Sequence, residues 1–277
     1  MSNSIRLFPA AAFVNQYGSV FEKARLQAVL GHPPDMQFLK PLLDLQNKDG
    51  GFPSRPRPGS LSSVDSTLYA LWQFHEIGQS GSLPAARARD FLVGMQNDDG
   101  SWDENPALPV YDLPPWIQPG SLAVSLYLSA YAAYWLGLSN PKHPAFQKAV
   151  TFLTNEQDEN GYIPSYLHTN WIATSALLLA GPSGAAAAQK GLRYLQNQPF
   201  EQWDASQIAW ALDNLGNAGI SARHPFVQKA LAELTKRQSE DGSWSSEDGP
   251  AYAASATVSV IKVFRRFQDL PVETGRD

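Results

Sequence analysis

There is no cysteine among the 277 residues of this chain, which excludes disulfide staples, thiolate nucleophiles and every zinc site that needs a sulfur ligand. Charge is also sparse, at 17% of residues against 43% hydrophobic, a balance that buries a large core and is unlike a disordered chain. Positive charge in particular is in deficit. With 21 basic and 26 acidic side chains the formal net charge is -5, and no run of Lys or Arg is present to neutralise a phosphate backbone, so nucleic acid is excluded as a partner. Long apolar runs are missing near the start: Leu7 to Val14 is short and interrupted by Pro9, too short to span a bilayer and without the charged start of a signal peptide. That stretch reads as part of a wrapped N-terminal segment over 1–17, and a cytoplasmic setting is the default. The five histidines occur singly, so no metal and no cofactor are expected.

What is present is a repeat. Five times a helical stretch is followed by Gln, a short polar turn and an aromatic: Gln46 to Phe52, Gln96 to Trp102, Gln157 to Tyr162, Gln198 to Trp203 and Gln238 to Trp244. Four of the five copies carry a glycine, which supplies the positive φ that follows a helix end. The glutamine suits freed backbone groups and the aromatic suits stacking against a neighbouring repeat, so these turns read as structural staples.

The segments feeding the turns are amphipathic. His143-Pro144 and His224-Pro225 each place proline at a helix start, followed by apolar residues at i, i+3, i+4 and i+7. After each turn comes a second kind of helix with few charges, such as Ser121 to Trp135, apolar on most faces and therefore suited to an interior. The pattern predicts outer helices near 35–47, 84–96, 144–156, 183–196 and 225–238, and inner helices near 63–78, 120–136, 168–180, 204–218 and 250–268, with an early helix near 18–30 as a sixth inner position. Paired helices in such a repeat build either an open solenoid or a closed ring, and the repeat does not distinguish them.

The turns resemble the QW repeats of squalene–hopene cyclases, oxidosqualene cyclases and related class II terpene cyclases, with Arg87 through Trp102 as the best copy. The resemblance covers nearly the whole chain and is closest to single-domain cyclases of meroterpenoid type. It implies an all-α fold, a single α/α toroid made of a double ring of helices, as one domain over 1–277 with a tail at 270–277. In that family a motif of Asp-Val-Asp-Asp-Thr opens an inner helix, and its central acid protonates the terminal alkene or epoxide. The matching stretch is Ser63-Val64-Asp65-Ser66-Thr67: the central acid is kept and both flanking acids are serine. Pro109-Val110-Tyr111-Asp112 and Ser206 to Leu212 match two further family stretches. Protein prenyltransferases share the toroid but hold zinc with a cysteine, so that branch is excluded.

The resemblance implies a protonation-initiated cyclisation of a hydrophobic isoprenoid, with Asp65 as the acid. An alkene is protonated only by a strong acid that still carries its proton at rest, and burial reconciles the two, because desolvation raises a carboxyl pKa by up to about 3–5 units. Ser63, Ser66 and Ser125 are candidates to hydrogen-bond Asp65 and stabilise the carboxylate left behind. Aromatic faces stabilise the cations that follow; by position the candidates are Phe52, Tyr69, Tyr111, Trp116, Tyr127, Tyr166, Trp171, Trp203, Trp210 and Tyr252. Asp112 and Asp204 are rival acids, Asp204 equally suited to capping the helix it opens. Arg55 and Arg57 are placed to hold an anionic head group, and Leu113 to Ile117 forms an apolar loop suited to substrate entry or peripheral membrane contact. Two other functions fit the pattern: a non-catalytic toroid that binds a lipid or a protein, which predicts an exposed or salt-bridged Asp65, and a carbohydrate-active enzyme, which needs two carboxylates roughly 5–10 Å apart on a polar groove.

Overall fold

The structure, a computed structural model, describes residues 4–55, 57, 60–108, 113–114 and 117–268. The described residues form twelve α-helices and one two-stranded antiparallel ribbon. In order these are α1 (Leu7–Tyr17), α2 (Val20–Val29), α3 (Leu39–Leu45), β1 (Phe52–Pro53), β2 (Ser62–Ser63), α4 (Val64–Glu76), α5 (Leu83–Gly94), α6 (Leu122–Ser139), α7 (Pro144–Glu156), α8 (Leu167–Leu179), α9 (Ala185–Gln196), α10 (Ala205–Asn217), α11 (Pro225–Lys236) and α12 (Ala253–Gln268). Every helix expected from the repeat is present. The apolar stretch near the start forms helix α1, with Pro9 in its first turn where no intrahelical N–H is required.

Two compact units are formed, one from Met1–Phe38 with Gln196–Asp277 and one from Leu39–Leu195. In the second, α6 is the central element and packs on α8, α7, α4 and α5. Its apolar composition fits that position: α6 passes a length-and-composition test for a membrane span, yet 67% of it is buried inside the fold, as expected of a core helix. In the first unit α12 is central, against α10, α1 and α2.

Three of the turns act as the staples that the repeat suggests with one bonding scheme. Gln46 Nε2 donates to Gly50 O (2.9 Å) and to Pro84 O at the head of α5 (2.8 Å). Gln96 Nε2 donates to Gly100 O (3.1 Å) and to Ala145 O at the head of α7 (2.8 Å). Gln238 Nε2 donates to Gly242 O and to Arg6 O, both at 3.0 Å, so α1 occupies for this turn the place an outer helix takes for the others. The glycines are required twice over. Gly100 has φ +94°, and a Cβ there would meet Lys148 O at 2.6 Å, closer than any side chain tolerates. The copy from Gln198 to Trp203 lacks glycine and uses another clamp: Arg237 Nη1 and Nη2 donate to Trp203 O and Phe200 O.

Each turn also fixes the helix that follows. Phe52 N–H donates to Thr67 Oγ1 (2.9 Å), Trp102 N–H to Ser129 Oγ (2.7 Å) and Trp244 N–H to Thr257 Oγ1 (3.1 Å). Trp102 and Trp244 are fully buried, and each indole donates to a carbonyl ten residues back, Leu92 and Leu234, at 2.7 Å. The first turn of α4 is thereby locked to the turn before it.

Candidate active site

Asp65 is the second residue of α4 and half-buried. Three neighbouring segments hold the helix head. Ser63 is the N-cap, its Oγ accepting from Ser66 N–H at 3.1 Å. Thr67 Oγ1 donates to Ser63 O at 2.7 Å. The loop after α5 adds two clamps, Glu104 on the head of α4 and Asn105 Nδ2 donating to Ser62 O (3.0 Å), while Asp103 accepts from Gly120 N–H (2.9 Å) just before α6.

Glu104 is the most heavily used of these. Its Oε1 accepts from Val64 N–H and from Asn105 N–H, both at 2.7 Å. Its Oε2 accepts from Ser63 Oγ (2.8 Å) and from Asp65 N–H (3.2 Å). The side chain is 1% exposed. Ser63 therefore serves Glu104 and the cap of α4 rather than donating to Asp65, which corrects the first of the supporting-serine expectations. Ser66 contributes its backbone N–H to the same cap, and Ser125 lies half-buried in the first turn of α6.

The direct partner of Asp65 is Tyr127 of α6, whose hydroxyl donates to Oδ1 at 3.4 Å. Burial first, and the charge of Glu104 second, push the Asp65 carboxyl up from 3.8 to about 6, against the lowering effect of the Tyr127 hydrogen bond. Tyr127 is held well above the ordinary phenol range, by burial first and by the charge of Asp65 second, and so is Tyr131, by burial first and by Tyr134 second. Both phenols therefore keep their protons at any physiological pH. Beyond Tyr127 the site continues as aromatic surface. His168 of α8 stands edge-on to Tyr127 at 4.9 Å, stacks on Tyr166 at 5.3 Å and lies 6.1 Å from Trp171. Burial holds His168 down at about 4, so its ring is a neutral imidazole above that pH.

Of the residues nominated from the sequence, Asp65, Ser63, Ser66, Tyr127, Tyr166 and Trp171 belong to this cluster. Phe52 is buried and packs edge-on to Phe74 at 6.1 Å, which is core packing. Tyr69, 54% exposed, lies beside Trp72. Arg55 and Arg57 lie in the connection from β1 to β2, half-buried and exposed respectively. In the other unit Trp203 packs on Phe200 and Phe226, Trp210 is half-buried in α10, and Tyr252 is 54% exposed. Asp204 is the N-cap of α10, accepting from Ser206 N–H at 3.1 Å while Gln207 Oε1 accepts Asp204 N–H at 2.8 Å. Tyr111, Asp112 and Trp116 lie outside the described residues. A separate pocket of about 370 Å³, lined by Leu71, His75, Arg89 and Trp135 among others, opens toward the opposite end of α4 from Asp65.

Glu104, Tyr131 and His168 were not singled out from the sequence. Glu104 follows the aromatic of the best turn copy by two residues, but nothing local pairs it with residues forty positions earlier. His168 lies between Tyr166 and Trp171 in the sequence, but only the folded packing brings Tyr127 of α6 against it.

No family model matches the chain. The squalene–hopene cyclase of Zymomonas mobilis is 27% identical over 292 aligned positions, covering 86% of this chain and 43% of that protein. The "Probable squalene–hopene cyclase" of Sinorhizobium fredii is 23% identical, covering 72% and 37%. In sequence the chain is thus similar to squalene–hopene cyclases, and in fold to a type II terpene cyclase. It spans about two fifths of the length of these curated relatives. Among solved structures, the type II terpene cyclase MstE from Scytonema superposes with a TM-score of 0.59 at 14% identity, covering 88% of this chain and 87% of MstE. A variant of MstE bound to its substrate, geranylgeranyl dihydroxybenzoate, gives a TM-score of 0.60 at the same identity, covering 90% and 86%. The likeness carries the all-α fold of that cyclase to nearly the whole of this terpene cyclase-like chain.

Proposed function

We propose that the chain is a class II terpene cyclase that converts a linear polyprenyl compound, with or without an aromatic head group, into an isomeric polycyclic product, with Asp65 as the proton donor. The observation that carries this reading is a half-buried carboxyl pushed up to about 6 in a wall of aromatic rings. The proton passes from the Asp65 carboxyl to the terminal carbon of an alkene, whose π electrons form the new C–H bond. Successive double bonds then close rings on the resulting cation, and loss of one proton from carbon ends the sequence. Substrate and product therefore have the same formula. Tyr127 supports the carboxylate left on Asp65, and the faces of Tyr127, Tyr166 and Trp171 favour positive charge nearby, each by about 0.5–2 kcal/mol. An apolar substrate also displaces water from Asp65, which raises its affinity for the proton further.

Neither alternative fits the site as well. A glycosidase needs its second carboxylate open to water or sugar, whereas Glu104 is buried and fully hydrogen-bonded. A purely binding role leaves the raised Asp65 carboxyl without use. MstE is seen with geranylgeranyl dihydroxybenzoate and, in another variant, with its product merosterolic acid A, so prenylated aromatics head the substrate panel here. Arg55 and Arg57 are the head-group candidates for an anionic aromatic.

The test is mass spectrometry after incubating wild type and Asp65→Asn with geranylgeranyl dihydroxybenzoate, simpler farnesyl and geranylgeranyl compounds, and squalene. An isomeric cyclised product formed by wild type and absent with the variant is the expected result. Inert wild type on the whole panel favours the binding role, and an active variant moves the acid elsewhere.

A further inference from the structure

The head of α4 holds two carboxyl groups, and its hydrogen bonds divide them. An acid in the first turn of a helix ordinarily accepts the free N–H groups there and gains from the positive end of the helix dipole, both of which favour its ionised form. At α4 these donors are already taken. Val64 N–H and Asp65 N–H point to Glu104, as does the Ser63 hydroxyl, whose own oxygen accepts Ser66 N–H. Each oxygen of Glu104 accepts two donors, which is the pattern of an acceptor-only carboxylate with no place for a proton.

We infer that Glu104 is a positioning residue that takes over the donors at the head of α4 and leaves Asp65 to carry the transferable proton. This rests on the reading of Asp65 as the acid and deepens it. The two serines that replace the flanking acids of the family motif become intelligible: Ser63 supplies a donor to Glu104, so a carboxylate from another loop does the work that a neighbouring carboxylate in the motif would do. A second negative charge on Asp65 would then stand beside the buried charge of Glu104, and like charges in one site are separated by leaving one of them protonated. Among the described residues, the other titratable groups facing Asp65 are Tyr127 and Tyr131 from α6, with Tyr166, the N-cap of α8, and His168 of α8 behind Tyr127. None of them adds a positive charge at neutral pH.

The experiment is a carboxyl-carbon NMR titration of ¹³C-labelled protein, with Asp65→Asn and Glu104→Gln used to assign the two signals. In wild type the Asp65 carbon is expected to move near pH 6. If it moves near 3.8, the ordinary value, the inference is overturned, with no variant needed to fold. In Glu104→Gln, checked for folding by circular dichroism, the Asp65 midpoint is expected to fall by one pH unit or more. Glu104→Asp, which keeps the charge, is expected to restore most of the upward shift. An Asp65 midpoint unchanged in Glu104→Gln overturns the inference. The titration needs no substrate, so it stands or falls separately from the cyclisation assay. Once a substrate is known, the basic limb of kcat/KM should move with the Asp65 midpoint, which a merely structural role for Glu104 would not cause.

Discussion

Asp65 and Asp204 each stand at the head of an apolar helix that follows a repeat turn, and the two heads are built in opposite ways. Asp204 is the N-cap of α10: it accepts the N–H of Ser206, receives the hydroxyl of Ser245 at 3.0 Å, and forms a capping box with Gln207 three residues on. Its charge is used where it stands. Asp65 sits inside the first turn of α4, where the capping has been done by Ser63 and by Glu104 from a different loop. An acid at a helix start is released for chemistry when another group satisfies the helix.

The largest effect that would sharpen this contrast is on turnover. Asp65→Asn should reduce product formation by about 10³-fold or more, and Asp204→Asn by less than about tenfold, in line with the usual weight of a general acid. Comparable losses in both variants, measured by product mass spectrometry, would erase the distinction. The second effect is on stability, and its sign is unusual. Asp65 titrates near 6 in the fold and near 3.8 when unfolded, so the folded state binds the extra proton between those values and loses stability as pH rises through them. Above about pH 6 wild type bears a cost of up to about 3 kcal/mol that Asp65→Asn removes, less whatever solvent reaching the half-buried carboxyl recovers. Chemical denaturation at pH 4 and pH 8 should therefore show the Asn variant gaining on wild type only at the higher pH. Asp204→Ala, by contrast, should lose about 1 kcal/mol as an ordinary cap deletion, with no such gain at pH 8.

Two finer measurements follow. kcat/KM should fall about tenfold per pH unit above about 6 as free Asp65 loses its proton, while Asp204→Asn leaves that limb in place. Tyr127→Phe removes the donor to Asp65 Oδ1; it should raise the Asp65 midpoint slightly and slow turnover by roughly tenfold, because the departing proton leaves a less supported carboxylate. An unaltered rate in Tyr127→Phe would reduce that phenol to a packing residue.

The contrast also marks what was legible in the sequence. The capping box at Asp204 is written in four adjacent residues, Asp204 to Gln207, and local hydrogen bonds are what local patterns encode. The helix pairs were legible for a similar reason, since periodicity, proline starts and glycine turns act within a few residues. Asp65 was legible only through resemblance. The partner that sets its behaviour, Glu104, was not, because the bonds from Val64 and Asp65 to Glu104 cross about forty residues of chain. Ser63 was assigned to the wrong carboxyl for the same reason. The stretch near the start reads in the sequence only as a wrapped segment; it is helix Leu7–Tyr17, and Pro9 at the third helical position breaks no hydrogen bond.

One property of the cluster concerns folding rather than turnover. At pH 5 an unfolded chain carries an ionised aspartate and a protonated histidine, while in the fold Asp65 titrates near 6 and His168 near 4, so both are neutral. Folding thus moves one proton, in effect, from an imidazole to a carboxyl, with no net exchange with solvent from this pair. Their opposite contributions cancel between about pH 4 and 6, and each single substitution would expose the slope that its partner had hidden.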